Sequence, residues 1–291
     1  MNIITIYYNF SNYKSRYEAS SKCVEYFSKI SNINFYIVEL AYGAQQFVLT
    51  NENNKNHLQL RCNHPLWHKE NLINIGIAKL LPKDWQYVAW IDCNITFEND
   101  DFIEKTIMKL QEYDFIQMFG TIKCINKPSL HCDILNSFMY CISNNEYSPS
   151  AKPGGAWACT KKGYELIGKL YDKSLCESDC ILAHALGLHR NYHMSSKNCS
   201  YLNDVNSYVI DIIKQQLKVS YVDNIIIYYW HGNQENRKYH LFRHKMISKL
   251  NYNPNDFEYD ENGLLIPSKL CPLNITNEFK KYFESRLEDA V

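Results

Sequence analysis

The chain opens on an unbroken apolar run, Ile3 to Tyr8 (IITIYY), closed by Asn9-Phe10-Ser11-Asn12. A run of that length, rich in β-branched and aromatic residues, predicts a buried strand. The period then changes. Between Tyr13 and Ile30 the residues Tyr17, Val24, Phe27 and Ile30 are spaced to share one face of a helix. Phe35 to Leu40 predicts a second strand, and Phe47-Val48-Leu49 and Leu58 to Arg61 two short ones around an Asn-rich turn. Trp67 to Leu81 has helical spacing, with Pro82 just past its end. Trp85 to Ile91 (WQYVAWI) predicts the strand best suited to the centre of a sheet. A helix over Phe102 to Leu110 and a strand over Phe115 to Phe119 follow. Gly120 to Pro153 is irregular. Helices are expected over Lys161 to Tyr171, Cys180 to Leu188 and Tyr239 to Leu250, a strand over Tyr221 to Trp230, and turns from Pro254 onward. Strands alternating with helices predict an α/β fold with a mostly parallel central sheet flanked by helices.

Composition narrows the function. Lys+Arg and Asp+Glu total 31 each in 291 residues, so the net charge is zero. That argues against a protein that coats nucleic acid, which relies on excess cations, and against a polybasic membrane anchor. The longest apolar run, Ile225 to Trp230, falls far short of the roughly 20 residues that span a bilayer. The N-terminus lacks the pattern of a secretion signal, and the eleven cysteines contain no CxxC pair. A cytoplasmic, reducing setting and no structural zinc are the expectations. No internal repeat or linker appears, so one domain is expected, with residues 1–120 as a nucleotide-binding half and 121–291 as an acceptor half. P-loop, nucleophile-elbow and GxGxxG motifs are absent. His184, His189 and His193 do not share a helical face and are set aside as a metal site.

The candidate chemistry starts where the strongest strand ends, at Ile91-Asp92-Cys93-Asn94. In open α/β sheets ligands bind beyond the carboxyl ends of strands, and two oxygen-bearing side chains at i and i+2 can reach one divalent ion. A plain turn-forming Asp/Asn pair has the same spelling. Three more segments bear on that choice: Trp67-His68-Lys69-Glu70-Asn71; Gly154-Gly155-Ala156-Trp157 with the later Glu177-Ser178-Asp179; and Trp230-His231-Gly232 with Arg237, Tyr239 and Arg243.

In this order the segments read WxKExxIN, LPxDW-x3-AWID-x-N-I-x-F, GGAWA, ESD, then WHG with R-x-Y-x3-R. Together they resemble the metal-dependent glycosyltransferases of the GT-A fold, and most of all a family-2-like group of bacteria and large DNA viruses. The likeness runs from Ile3 to about Gly263, and Asn94 stands where the family's DxD motif has its second Asp. The resemblance implies transfer of a sugar, with inversion, from a nucleotide-diphosphate sugar (a UDP-sugar first) to a glycan, protein or small-molecule acceptor. It implies Mn²⁺ or Mg²⁺ held by Asp92, Asn94 and His231. It implies donor contacts from Tyr7, Tyr8, Asn9, Lys69, Asn71, Gly154, Gly155, Trp157, Arg237 and Arg243. Asp179 is the implied catalytic base, with Glu177 as the neighbouring alternative. Two other readings stand beside it. One is a sugar-nucleotide pyrophosphorylase, although no Gly-rich basic loop follows the first strand. The other is a non-catalytic carbohydrate- or nucleotide-binding protein, which Asn94 favours.

Overall fold

The computed structural model describes residues 1–125, 132–146, 148–187 and 199–290. In chain order the first part runs β1 (Asn2–Tyr8), α1 (Lys14–Ser28), β2 (Asn34–Tyr42), β3 (His57–Cys62), α2 (Lys69–Leu80), β4 (Tyr87–Asp92), β5 (Ile95–Phe97), α3 (Phe102–Leu110) and β6 (Phe115–Gln117). The chain continues through β7 (Thr121–Ile125), β8 (Cys132–Asn136), α4 (Phe138–Ser143), β9 (Ala156–Thr160), α5 (Lys161–Leu166), α6 (Ser178–Leu186) and α7 (Ser200–Lys214). Then come β10 (Val219–Tyr221), β11 (Ile225–Tyr229), α8 (Gln234–Arg237), α9 (Tyr239–Ser248), β12 (Phe257–Tyr259), β13 (Leu265–Pro267) and α10 (Leu273–Ser285).

Seven strands form the central sheet in the order β10-β6-β9-β4-β1-β2-β3. Every neighbouring pair is parallel except those made by β9, which runs antiparallel between β4 and β6. The expected mixed α/β fold, mostly parallel and flanked by helices, is what forms. β1 and β4 lie at its heart because both faces of each are covered, and their continuous apolar runs suit that position. A smaller sheet, β5-β11-β7-β8, stands beside it. The chain enters this second sheet just after Asp92, so the DxN segment sits where the backbone leaves one sheet for the other.

Several expected elements differ for identifiable reasons. Phe47-Val48-Leu49 is not a strand. The buried Glu39 carboxylate accepts hydrogen bonds from the Val48, Leu49 and Thr50 amides, at 2.7, 3.1 and 2.8 Å, in place of a ladder. The expected strand Tyr221 to Trp230 is two strands in two sheets, broken where Asn224 donates to the Met118 carbonyl at 3.0 Å. Gly120 to Pro153 holds β7, β8 and α4, and α7, β9 and α10 also form where no element was expected. In α1 the buried face is Ala19, Cys23 and Phe27, while Tyr17 points outward. His189, His193 and the end of the helix expected to reach Leu188 lie outside the described residues. Among the described residues no helix is long and apolar enough to cross a membrane.

Candidate active site

A cleft of about 510 Å³ opens at the carboxyl ends of β1 and β4. The four motif segments are among those that meet there: the end of β4, the start of α2, Gly154-Gly155 with the start of α6, and the chain after β11. The Asp92 N–H donates to the Gly155 carbonyl at 2.8 Å, tying the first of these to the third.

At the floor, the Lys69 ammonium lies between two carboxylates, 2.6 Å from Asp92 Oδ1 and 2.7 Å from Asp179 Oδ2. Burial alone would lower the Lys69 pKa, but Asp179 and Asp92 outweigh it and hold the ammonium well above its ordinary value. Burial pushes the Asp179 carboxyl up, against the pull of Lys69. Asp179 is in the first turn of α6, and its carboxylate is turned to Lys69 in the cleft. Gly154 is glycine for a local reason. A Cβ there would lie 2.6 Å from Asp179 Oδ2, so the space beside this glycine is filled by the Asp179 carboxylate.

Glu177 is engaged elsewhere. It forms an ion pair with Arg243 and accepts from the Tyr201 hydroxyl at 2.8 Å. Cys176, just before it, takes a left-handed φ of 68°, which turns the chain so that Glu177 and Asp179 face different neighbours.

At the other end, His231 is buried. Its Nδ1 lies 3.3 Å from Glu288 Oε2, and its Nε2 is 2.7 Å from the Tyr228 hydroxyl and 3.2 Å from Arg237 Nη2. Burial first, and then Arg237, push its pKa down to about 3, so the ring is neutral. A guanidinium can only donate. Nε2 is therefore the bare nitrogen, and Nδ1 carries the proton toward Glu288.

These donors fit a divalent ion of the kind that borrows ligands from phosphate. His231 is a neutral imidazole backed by a carboxylate, the arrangement common behind metal-bound histidine, with its unprotonated Nε2 now held by the Tyr228 hydroxyl and Arg237. Asp92 supplies an oxygen at the strand end. Among the described residues no three His, Cys, Asp or Glu side chains converge as a ready cage. Mg²⁺-type sites commonly complete their shell with one or two carboxylates plus substrate phosphates. The Asn94 amide N–H donates to the Tyr229 carbonyl at 3.2 Å. Only Oδ1 is left to accept or to ligate. This contact accounts for Asn where Asp was the family expectation, because a carboxylate would set two acceptors against each other. Asn94→Asp is therefore expected to lower stability by about 1–3 kcal/mol, with no gain in cation affinity. Chemical denaturation alongside a Mn²⁺ titration measures both, and tighter Mn²⁺ binding at unchanged stability would refute it.

Three expected donor contacts lie outside the cleft. Asn9 closes the turn into α1, accepting from Tyr13 N at 2.9 Å and donating to Tyr13 O at 2.8 Å. Asn71 is buried, donating to Gly263 O and accepting from Leu265 N, each at 2.9 Å. Trp157 is 1% exposed; it pairs across strands with Trp90 and donates to Pro153 O at 2.8 Å. Strand alternation turns Trp157 into the core and leaves it no face for the donor. Tyr7, Tyr8, Lys69, Gly154, Gly155, Arg237 and Arg243 do line the cleft, although Tyr8 stacks on Phe10 with ring centres 4.9 Å apart.

Other lining residues were not foreseen. Arg16, Lys152 and Arg286 join Lys69, Arg237 and Arg243, so among the described residues six cations and three carboxylates, Asp92, Glu177 and Asp179, line the cleft, with a fourth carboxylate, Glu288, behind Arg16 and Arg286. Trp67 and Tyr239 form an aromatic edge, ring centres 6.4 Å apart. Arg16 reads in sequence as an ordinary exposed helix charge, and nothing in the chain's spelling marks it otherwise.

No protein-family model matches the chain, and no curated protein matches it by sequence. Solved structures do match. One is a Drosophila β1,4-galactosyltransferase 7 mutant in complex with manganese, UDP-Gal and xylobiose (12% identity, 96% of this chain and 98% of that chain, TM-score 0.43). A putative nucleotide-diphospho-sugar transferase from Desulfovibrio desulfuricans aligns over 84% of this chain and 95% of that chain (8% identity, TM-score 0.36). A 4-diphosphocytidyl-2C-methyl-D-erythritol synthase from Anaerococcus prevotii aligns over 77% and 89% (12% identity, TM-score 0.40). At TM-scores below 0.5 these likenesses decide nothing about the chemistry, which has to come from the residues of the cleft.

Proposed function

We propose that the cleft transfers a glycosyl group, with inversion, from a nucleotide-diphosphate sugar to an acceptor hydroxyl. UDP-sugars head the donor panel, and the acceptor is a glycan, a protein or a small molecule. The observation that carries the reading is the pairing of Asp92 and Asp179 across Lys69, in a strand-end cleft whose cations outnumber its carboxylates even after Glu288 is set against Arg16 and Arg286. Such a surplus suits a diphosphate, and two carboxylates about one ammonium give one group for the donor side and one for the acceptor.

Asp179 takes the proton from the acceptor hydroxyl as that oxygen attacks the anomeric carbon. The bond from that carbon to the diphosphate breaks, and the departing negative charge meets Lys69 and Arg237. Trp67 and Tyr239 offer apolar faces to a sugar or base ring. Asp92 and His231 would hold Mn²⁺ or Mg²⁺, with Asn94 as the third expected ligand. When bound, the ion supplies Lewis-acid stabilisation of the leaving diphosphate. Lys69 now contacts Asp92, and Arg237 and the Tyr228 hydroxyl contact His231 Nε2. For Asp92 and His231 to hold a cation, Lys69 and Arg237 must turn toward the phosphates and the Tyr228 hydroxyl must leave Nε2.

A donor panel tests the proposal. The protein is melted with UDP-, GDP- and dTDP-sugars and Mn²⁺, and free nucleoside diphosphate is then assayed. One donor is expected to stabilise by about 2.7 kcal/mol at a hundred times its Kd and to release nucleoside diphosphate. Excess EDTA is expected to stop that release. Exchange of pyrophosphate into the nucleotide-sugar would instead identify a pyrophosphorylase, and stabilisation without turnover a binding protein.

A further inference from the structure

The segment after α10 returns to the cleft and buries an acidic side chain against it. Glu288 is 1% exposed. Its carboxylate accepts from Arg16 Nε and Nη2 at 2.9 and 2.8 Å, lies 2.8 Å from Arg286 Nη2, and faces His231 Nδ1 at 3.3 Å. We propose that Glu288 is a positioning residue for the cation and phosphate end of the site. One carboxylate fixes the His231 ring with Nε2 toward the cleft and holds Arg16 and Arg286 against the same wall.

The surrounding backbone is built to keep it there. Asp289 accepts from the Lys14 and Ser15 amides at 2.8 and 2.7 Å. It thereby caps α1, whose own N-cap residue, Tyr13, makes no side-chain cap bond. The Ser15 hydroxyl donates to the Glu288 carbonyl at 3.0 Å. Gly232, next to His231, has φ +98°, and a Cβ there would lie 2.6 Å from Glu288 Cα. The glycine of the WHG motif thus admits the backbone that carries Glu288. A brace between this segment and α1 would need only Asp289 and Ser15. Turning a buried carboxylate onto a histidine and two arginines that line the cleft is a further arrangement. A carboxylate behind an imidazole sets its tautomer and orientation and raises the basicity of the far nitrogen. The two guanidiniums supply the charge that lets the carboxylate stay buried.

The inference rests on the glycosyltransferase reading for what the cation does, but it is tested without turnover. Co²⁺ serves as the probe, titrated into the full chain by visible absorption with and without UDP. Wild-type protein is expected to bind Co²⁺. Folded Glu288→Gln is expected to bind it about 10–100-fold more weakly, with an altered spectrum. A purely bracing role would lower the melting temperature and leave the Co²⁺ affinity unchanged, and that result overturns the proposal. So does a wild-type chain that binds no Co²⁺. Should Glu288→Gln not fold, ¹⁵N NMR of wild-type His231 decides. A protonated Nδ1 with Nε2 bare, and Zn²⁺ shifting Nε2 alone, supports the proposal; a protonated Nε2 overturns it. Co²⁺ binding that depends on Glu288 in a protein that turns over no nucleotide-sugar would defeat the assigned function and leave the positioning role intact. Turnover with Co²⁺ affinity indifferent to Glu288 would do the reverse.

Discussion

Asp179→Asn is expected to lower glycosyl transfer by roughly 10²–10⁴-fold while leaving the fold and donor affinity near normal. The amide has the shape of the carboxylate, so it fits the space left by the missing Cβ of Gly154. Helix α6 loses no cap, because the Asp179 side chain goes to Lys69. Lys69 retains Asp92 as its partner at 2.6 Å. What disappears is the only group at that position able to take a proton. Single-turnover transfer and donor titration, measured together, separate this from a structural role, which predicts near-normal transfer. Glu177→Gln is the control. Its carboxylate is held by Arg243 and Tyr201, so its loss is expected to show as reduced stability, with transfer by the folded protein changed only a fewfold. A folded Glu177→Gln variant without activity, beside an active Asp179→Asn, would reverse the assignment.

The parts of the fold that could be read from the sequence are those whose burial is complete. β1, β2 and β4 are covered on both faces, so their apolar runs are continuous. The smaller sheet is harder to read: β5 (ITF) is three residues long, too few to fix a period, and β11 (IIIYY) is an apolar run that merges in sequence with the strand before it. Helices α7 and α10 do have helical spacing, through Tyr201, Val205, Val209 and Ile212 and through Ile275, Phe279, Tyr282 and Phe283. Their Asn-rich surroundings resemble turns. In the site, Lys69, Asp92, Asp179, His231 and Arg237 stand out because each sits at an element end within a motif, and element ends are where this cleft forms. Asn9, Asn71 and Trp157 sit beside the same motifs but point into turns or core, a distinction made by strand alternation and by partners distant in sequence. Arg16, Arg286 and Glu288 acquire meaning only when the segment after α10 folds back on α1. That contact spans about 270 residues, and no local pattern encodes it.

Lys69→Met should show how the two carboxylates depend on the ammonium between them. The Lys69 side chain is 12% exposed, and those of Asp92 and Asp179 are 26% and 29%. Removing the cation leaves two anions facing each other with partial access to water. The expected loss is about 3 kcal/mol, the low end for breaking a buried pair, because each carboxylate keeps part of its hydration. The pH dependence has a definite sign. Burial already raises the Asp179 pKa, and Lys69 opposes that rise. Without Lys69 the folded-state pKa climbs further above its unfolded value. The contribution of Asp179 to stability is then full below the unfolded pKa and is lost as pH rises through the folded one. The Met variant should therefore be relatively most stable in acid and weaken toward neutrality more than wild type does. The same shift acts on catalysis, since a base must be ionised to accept a proton. The acid limb of kcat/KM should move to higher pH in Lys69→Met. Were Lys69 only a phosphate ligand, donor affinity would fall and the acid limb would stay where it is. Measuring that limb in wild type and Lys69→Met, together with donor Kd at each pH, decides between the two.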